Sequence, residues 1–352
     1  MKKTIALILA LCLTLALVAC GEKQPEAPQE AEYKLGMGIV LNMDSSKAEN
    51  AQVDATVAAV VLDAEGKIVS CRIDVAQNKM KVVGGAVDTA ATFKTKMELG
   101  SAYGMAGKVD NNDDGVMLEW DAQAKAFEEY VVGKTAAEVE AIQTQEAKGH
   151  LIAVDEALLK AGCSMQITDF IAAVVKACKD EQGQCFKTAA TFTLGVAAAT
   201  VADESTAAAA DKDGEVKMYT DFAAAVVADG KILAAVTDAV QPKISVNTLG
   251  DIVEKSFVAT KRELKEDYNM AKFGASMDNN GDGKVLEWYV QADAFVKHVV
   301  GMTGAEVAGM KTQTVEGSGY IISADEALLT AGCTIQITGM KAVMATACDY
   351  AR

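Results

Sequence analysis

The sequence predicts an α+β fold: two homologous domains, each a small antiparallel sheet packed with helices. Three observations carry that prediction. The chain repeats itself once at long period, each repeat opens on a hairpin pattern, and each closes on residues spaced for helices.

The repeat is plainest at "DEALLKAGCSMQIT" (155–168) and "DEALLTAGCTIQIT" (325–338), which stand 170 positions apart. Earlier matches keep the same order. "TKMELGSAYGM" (95–105) answers "TKRELKEDYNM" (260–270), and "DNNDDGVMLEW" (110–120) answers "DNNGDGKVLEW" (278–288). A period this long means duplicated domains, since solenoid repeats run at about 20–50 residues. The domains are expected over residues 35–180 and 190–352.

In the first copy an apolar run meets the turn "DAEGK", after which Val69, Cys71, Ile73 and Val75 alternate with Ser70, Arg72 and Asp74. The second copy offers "MYTDFAAAVVADGKILAAVTDAV". Turn residues between such runs read as β-hairpins. A helix is expected over residues 92–105 and another over 118–133. A last one places Ile171, Val174, Val175 and Cys178 at helical spacing.

The N-terminus stands apart from this fold. Lys2 and Lys3 precede an apolar run that stops at "LVAC" (17–20). That is the pattern of a signal peptide over residues 1–19, and the cysteine resembles that of a lipobox, which makes Cys20 the expected lipidation site. The run is short for a membrane-spanning helix. Residues 20–34 hold two of the three prolines and many charges, and are expected to form a lipid-anchored tether. Beyond Lys2 and Lys3 the chain carries 31 basic against 49 acidic residues. Such a surface repels nucleic acid and favours cationic partners. Cys163 and Cys178, like Cys333 and Cys348, are fifteen residues apart. Outside the cell such a pair can bridge, and buried free thiols are the other reading.

Asp110, Asn112 and Asp114 precede Gly115 at alternate positions, as Asp278, Asn280 and Asp282 precede Gly283. Alternate oxygens before a glycine open a calcium loop. Position twelve is Tyr289 in the second copy, where a full loop needs a bidentate glutamate, and a polar turn capping the next helix is the other reading. In the shared stretch, Gly162-Cys163-Ser164 and Gly332-Cys333-Thr334 place a hydroxyl just after a glycine and a small residue. The only two histidines, His150 and His298, occupy non-corresponding positions, which speaks against a Ser-His-Asp triad common to both copies. Tyr103 and Tyr268, with Met105 and Met270, recur in both copies as candidates to pack against a ring.

At "AGCS" and "AGCT" the chain resembles the covalent FMN-binding domain family, particularly the tandem-domain flavinylated lipoproteins of extracellular electron transfer. In that family a dedicated flavin transferase links FMN through its phosphate to Thr or Ser. The resemblance implies Thr334 and Ser164 as attachment residues, Gly332, Cys333, Gly162 and Cys163 as the adjoining motif, and Asp325 and Asp155 as its upstream aspartates. It further implies an extracytoplasmic, lipid-anchored electron carrier that is not itself an enzyme. Such a carrier would take electrons from a membrane quinol-oxidising donor and pass them to an extracellular acceptor. The alternative is a non-redox surface lipoprotein, a binding module stabilised by calcium.

Overall fold

The computed structural model describes residues 30–352, so the expected signal peptide, Cys20 and most of the tether lie outside the described residues. The fold is α+β. Three long strands, Ala31–Asn42, Asn50–Leu62 and Ile68–Lys81, form an antiparallel meander. Strand Gln184–Thr188 pairs antiparallel with the first of them and completes a four-stranded sheet. The tether was expected to reach residue 34, yet the first strand begins at Ala31. Tyr33 explains this: its ring lies 5.5 Å from Phe186 and 5.2 Å from Phe192, which fixes the start of the strand.

The second repeat builds the matching meander from Thr193–Val201, Tyr219–Ala228 and Lys231–Val240. A small sheet of Gly214–Lys217, Lys243–Val246 and Ile252–Ser256 lies beside it. The two large sheets pack face to face. Leu35, Val57, Ala59 and Val61 of the first meet Leu194, Val196, Phe222 and Val226 of the second in one core. The opposite faces carry helices, which gives four layers in the order helix, sheet, sheet, helix. Strand Asn50–Leu62 is therefore apolar on both faces, with Ala58, Val60 and Leu62 turned to the helices. Burial on both faces produces a continuous apolar run rather than an alternating one.

The last helix of each repeat, Thr168–Cys178 and Thr338–Asp349, lies directly on its sheet. A Cβ on Gly36 would come within 2.1 Å of the Ala177 carbonyl oxygen, and one on Gly195 within 1.8 Å of that of Ala347. Only glycine allows helix and strand to approach so closely. The helix expected over residues 92–105 is instead a single α-turn, Lys96–Leu99, followed by a 3-10 turn, Gly100–Tyr103. A Thr95–Glu98 capping box starts it, and Gly104 in left-handed backbone ends it. Trp120–Val131 forms as expected and buries Trp120 and Phe127. A buried pair ties the repeats together: Arg262 lies 3.1 Å from Asp180, whose carboxylate also accepts the Met37 N–H. Among the described residues no helix is long and apolar enough to cross a membrane.

Candidate functional site

The stretch shared by the two repeats folds identically in both. Asp155 and Asp325 are helix N-caps, accepting the N–H of Ala157 and of Ala327 at 2.8 Å. Such caps satisfy donors that a helix start leaves unpaired. The short helices Glu156–Lys160 and Glu326–Thr330 bury Leu158 and Leu328. Each then stops at a glycine of positive φ, 92° at Gly162 and 97° at Gly332. The next N–H, of Cys163 or Cys333, returns to the carbonyl of Leu158 or Leu328 at 3.2 Å. This is the Schellman closure, which favours glycine at the left-handed position. Cβ atoms there would also strike Leu118 and Leu286 at 2.3 and 2.6 Å.

The residues that follow sit in a cradle of main-chain bonds. Buried Gln123 accepts the N–H groups of Ser164 and Met165 at 3.0 Å through Oε1, while its amide donates to the Leu118 carbonyl. Gln291 does the same in the second repeat, accepting the Thr334 N–H at 2.8 Å and donating to Leu286 at 2.7 Å. Asn111 and Asn279, the second residues of the acidic turns, donate to the carbonyls of Ser164 and Thr334 at 2.9 Å. Acidic turn and shared stretch are thus one unit in each repeat. Gln123, Gln291, Asn111 and Asn279 were missed from sequence, although each recurs at the matching place in "DNN" and "LEW..Q".

Both candidate hydroxyls are buried. Thr334 Oγ1 donates to Gln291 at 3.1 Å, whereas Ser164 Oγ has no hydrogen-bond partner. Cys163 and Cys333 are fully buried, and burial pushes both thiols up to about 12, so neither is a thiolate nucleophile near neutral pH. All six described cysteines are free thiols. In the acidic turns, Asp110 accepts the N–H groups of Asp114 and Gly115, and Asp278 those of Asp282 and Gly283. Oδ1 of Asn112 and of Asn280 is buried without a partner. Among the described residues no three His, Cys, Asp or Glu side chains converge as a metal site.

Beside the second cradle lies a cavity of about 550 Å³, walled by Tyr219, Asp221, Lys261, Tyr268 and Trp288. Asn279 and Ile335, which flank Thr334 in space and in sequence, also line it. Lys261 is buried, and its ammonium lies 4.7, 4.8 and 5.3 Å from the ring centroids of Tyr219, Tyr268 and Trp288. Burial lowers its pKa, and the neighbouring carboxylates of Asp221 and Asp238 oppose that shift. In the first repeat Lys96 holds the equivalent place, 4.9 Å from the Tyr103 centroid and 5.5 Å from that of Trp120.

In the second repeat the buried Thr334 thus neighbours the aromatic-walled cavity through Asn279 and Ile335. In comparison with known proteins, no family profile and no solved structure matches the chain. A chlorophenol reductase of Desulfitobacterium hafniense is 30% identical over 131 residues, covering 32% of this chain. The matched segment spans 38% of that reductase's length.

Proposed function

We propose that this protein is an extracytoplasmic, lipid-anchored electron carrier that holds FMN by a phosphoester at Thr334 and at Ser164. The observation that carries the reading is the duplicated cradle: two hydroxyl residues in the same hydrogen-bonded backbone turn, one of them adjoining a cavity walled by aromatic rings and a lysine. When bound, the flavin stores and releases electrons reversibly, the chemistry of the cofactor itself. The chain's own residues hold the backbone that carries it. Gln291 and Asn279 fix the Thr334 peptide on both sides, and Gly332 sets the turn that presents it. Attachment at Thr334 requires its side chain to turn away from Gln291. Tyr268 and Trp288 exclude water from one side of the cavity, and Lys261 supplies a positive charge there.

In this reading a flavin transferase loads the protein, a membrane quinol-oxidising system reduces it, and an extracellular acceptor reoxidises it. The protein has no turnover of its own. Intact mass of the protein from its native host is the test. Two FMN-sized increments are expected, one lost in Thr334→Ala and the other in Ser164→Ala. A mass equal to the lipidated polypeptide alone refutes the proposal.

A second reading, a calcium-stabilised binding module, is favoured by one observation. The buried Oδ1 atoms of Asn112 and Asn280 lack partners and sit where a calcium loop places its second ligand. Titration calorimetry with calcium, repeated on Asp278→Ala, tests it. Saturable heat that the variant loses supports this reading, and flat titrations dismiss it.

A further inference from the structure

The cavity of the second repeat contains an arrangement that cradle and tether do not explain. Asp221 is only 8% exposed and its Oδ1 has no hydrogen-bond partner. Thr338 Oγ1, also in the lining, is buried and equally unpartnered. Lys261 Nζ donates to the Tyr219 hydroxyl at 3.3 Å, which leaves further N–H donors on the same ammonium. A buried acceptor and a buried donor therefore stand together between aromatic walls. Orphaned buried polar atoms are costly, and their persistence points to a ligand that satisfies them.

The chemistry of that ligand follows by elimination. A free anion is repelled by Asp221 and by Asp203 and Glu204, which also line the cavity. A quaternary or primary cation finds the ring faces already engaged by Lys261. What fits is a neutral planar ring whose edge offers an N–H beside a carbonyl. The carboxylate accepts from the first and the ammonium donates to the second. A volume of about 550 Å³ lies inside the range of small-molecule sites.

Position 339 shows that the space is built into the chain. A Cβ on Gly339 would stand 1.9 Å from Asp221 Oδ2, so the glycine is what admits the carboxylate. The first repeat has Asp169 at that position, and the matching strand registers place Thr56 where Asp221 stands and Asp54 where Tyr219 stands. The carboxylate that Gly339 admits in the second repeat therefore has a threonine in its place in the first.

We infer that the second-repeat cavity is a recognition slot for a planar heterocycle with a lactam edge, read by Asp221 and Lys261 and opened by Gly339. The inference deepens the electron-carrier reading, on which it rests for the source of one such ring, since the flavin ring has this edge. The ligand is either the ring of the flavin tethered at Thr334 or a free heterocycle of the same chemistry.

Lumiflavin is the probe, because it has the ring edge and no phosphate with which to be tethered. Protein made in a host without a flavin transferase is titrated with it, and quenching of tryptophan emission is followed. Saturable quenching is expected. Lys261→Met and Gly339→Asp should each weaken it roughly 10- to 100-fold, the cost of leaving a buried polar partner unsatisfied. Circular dichroism of each variant separates lost binding from lost fold, and Asp221→Asn offers an isosteric third arm with the same expected loss.

Protein from the native host distinguishes the sources. If the tethered ring fills the slot, wild type refuses lumiflavin and Thr334→Ala accepts it; if the ligand is free, both accept it after dialysis. Absent or non-saturable quenching in folded wild type overturns the inference, as does binding that survives both Lys261→Met and Gly339→Asp. Lumiflavin binding by a protein whose mass shows no FMN would uphold the slot and sink covalent attachment alone. A modified Thr334 in a protein whose Thr334→Ala form ignores lumiflavin would do the reverse.

Discussion

Asp74 is fully buried on strand Ile68–Lys81, at the edge of the first repeat's sheet, and replacing it with asparagine should make the protein more stable at neutral pH. Its Oδ1 accepts the N–H groups of Val75 at 2.7 Å and Met97 at 3.1 Å, bonds that an asparagine Oδ1 keeps. Burial raises its pKa from 3.8 to about 6, against the opposing hydrogen bonds of Thr95, Met97 and Val75. At about 1.4 kcal/mol per unit, that shift makes the ionised form cost roughly 3 kcal/mol. The folded pKa lies above the unfolded one, so the contribution to stability is fully present below pH ~4 and is lost as pH rises through ~6. Asp74→Asn removes this loss, while Lys96 keeps Asp54 and Asp169 as counter-charges. Urea unfolding at several pH values between ~4 and ~7.5 is the assay. The variant should match wild type at the acid end and exceed it by up to roughly 3 kcal/mol at the other. A variant less stable than wild type at pH ~7.5, or with an unchanged pH slope, refutes the reasoning.

Further outcomes follow from the cradle and its turn. Gln291→Leu strands the Thr334 N–H and the Leu286 carbonyl in the interior, so it should lower unfolding free energy by about 2–4 kcal/mol in denaturant titration. Gln123→Leu should do the same in the first repeat, where two N–H groups lose their acceptor. Gly332→Ala forces a Cβ onto a backbone of φ 97° and against Leu286. A loss of about 1–2 kcal/mol is expected by thermal melting, and a neutral result would show that the turn relaxes freely.

Much of the fold was legible because two repeats made the same statement twice. The hairpins and the closing helices came from turn residues and spacing. The face-to-face packing did not, because burial on both sides of strand Asn50–Leu62 erases the alternation that would mark an inner face. The 92–105 segment read as one helix, since its apolar spacing hides the glycines that divide it. At the site, Gly162 and Gly332 were legible as residues of special backbone. Lys261 and Gln291 were not, because lysine and glutamine on a short amphipathic element read as solvated. Their recurrence as Lys96 and Gln123 was the available signal, and Lys261, Gln123 and Gln291 are all buried.

The single core between the two sheets bears on how the chain is put together as an object. A lone repeat would present one large apolar sheet face to water, with Val57, Val61 and their neighbours uncovered. Such a face is satisfied most simply by a second copy related by a two-fold axis. Duplication within one chain supplies that second copy at fixed stoichiometry, and it frees the halves to differ. Gly339 against Asp169, and Asp221 against Thr56, are differences of a kind that a symmetric homodimer has no means to hold.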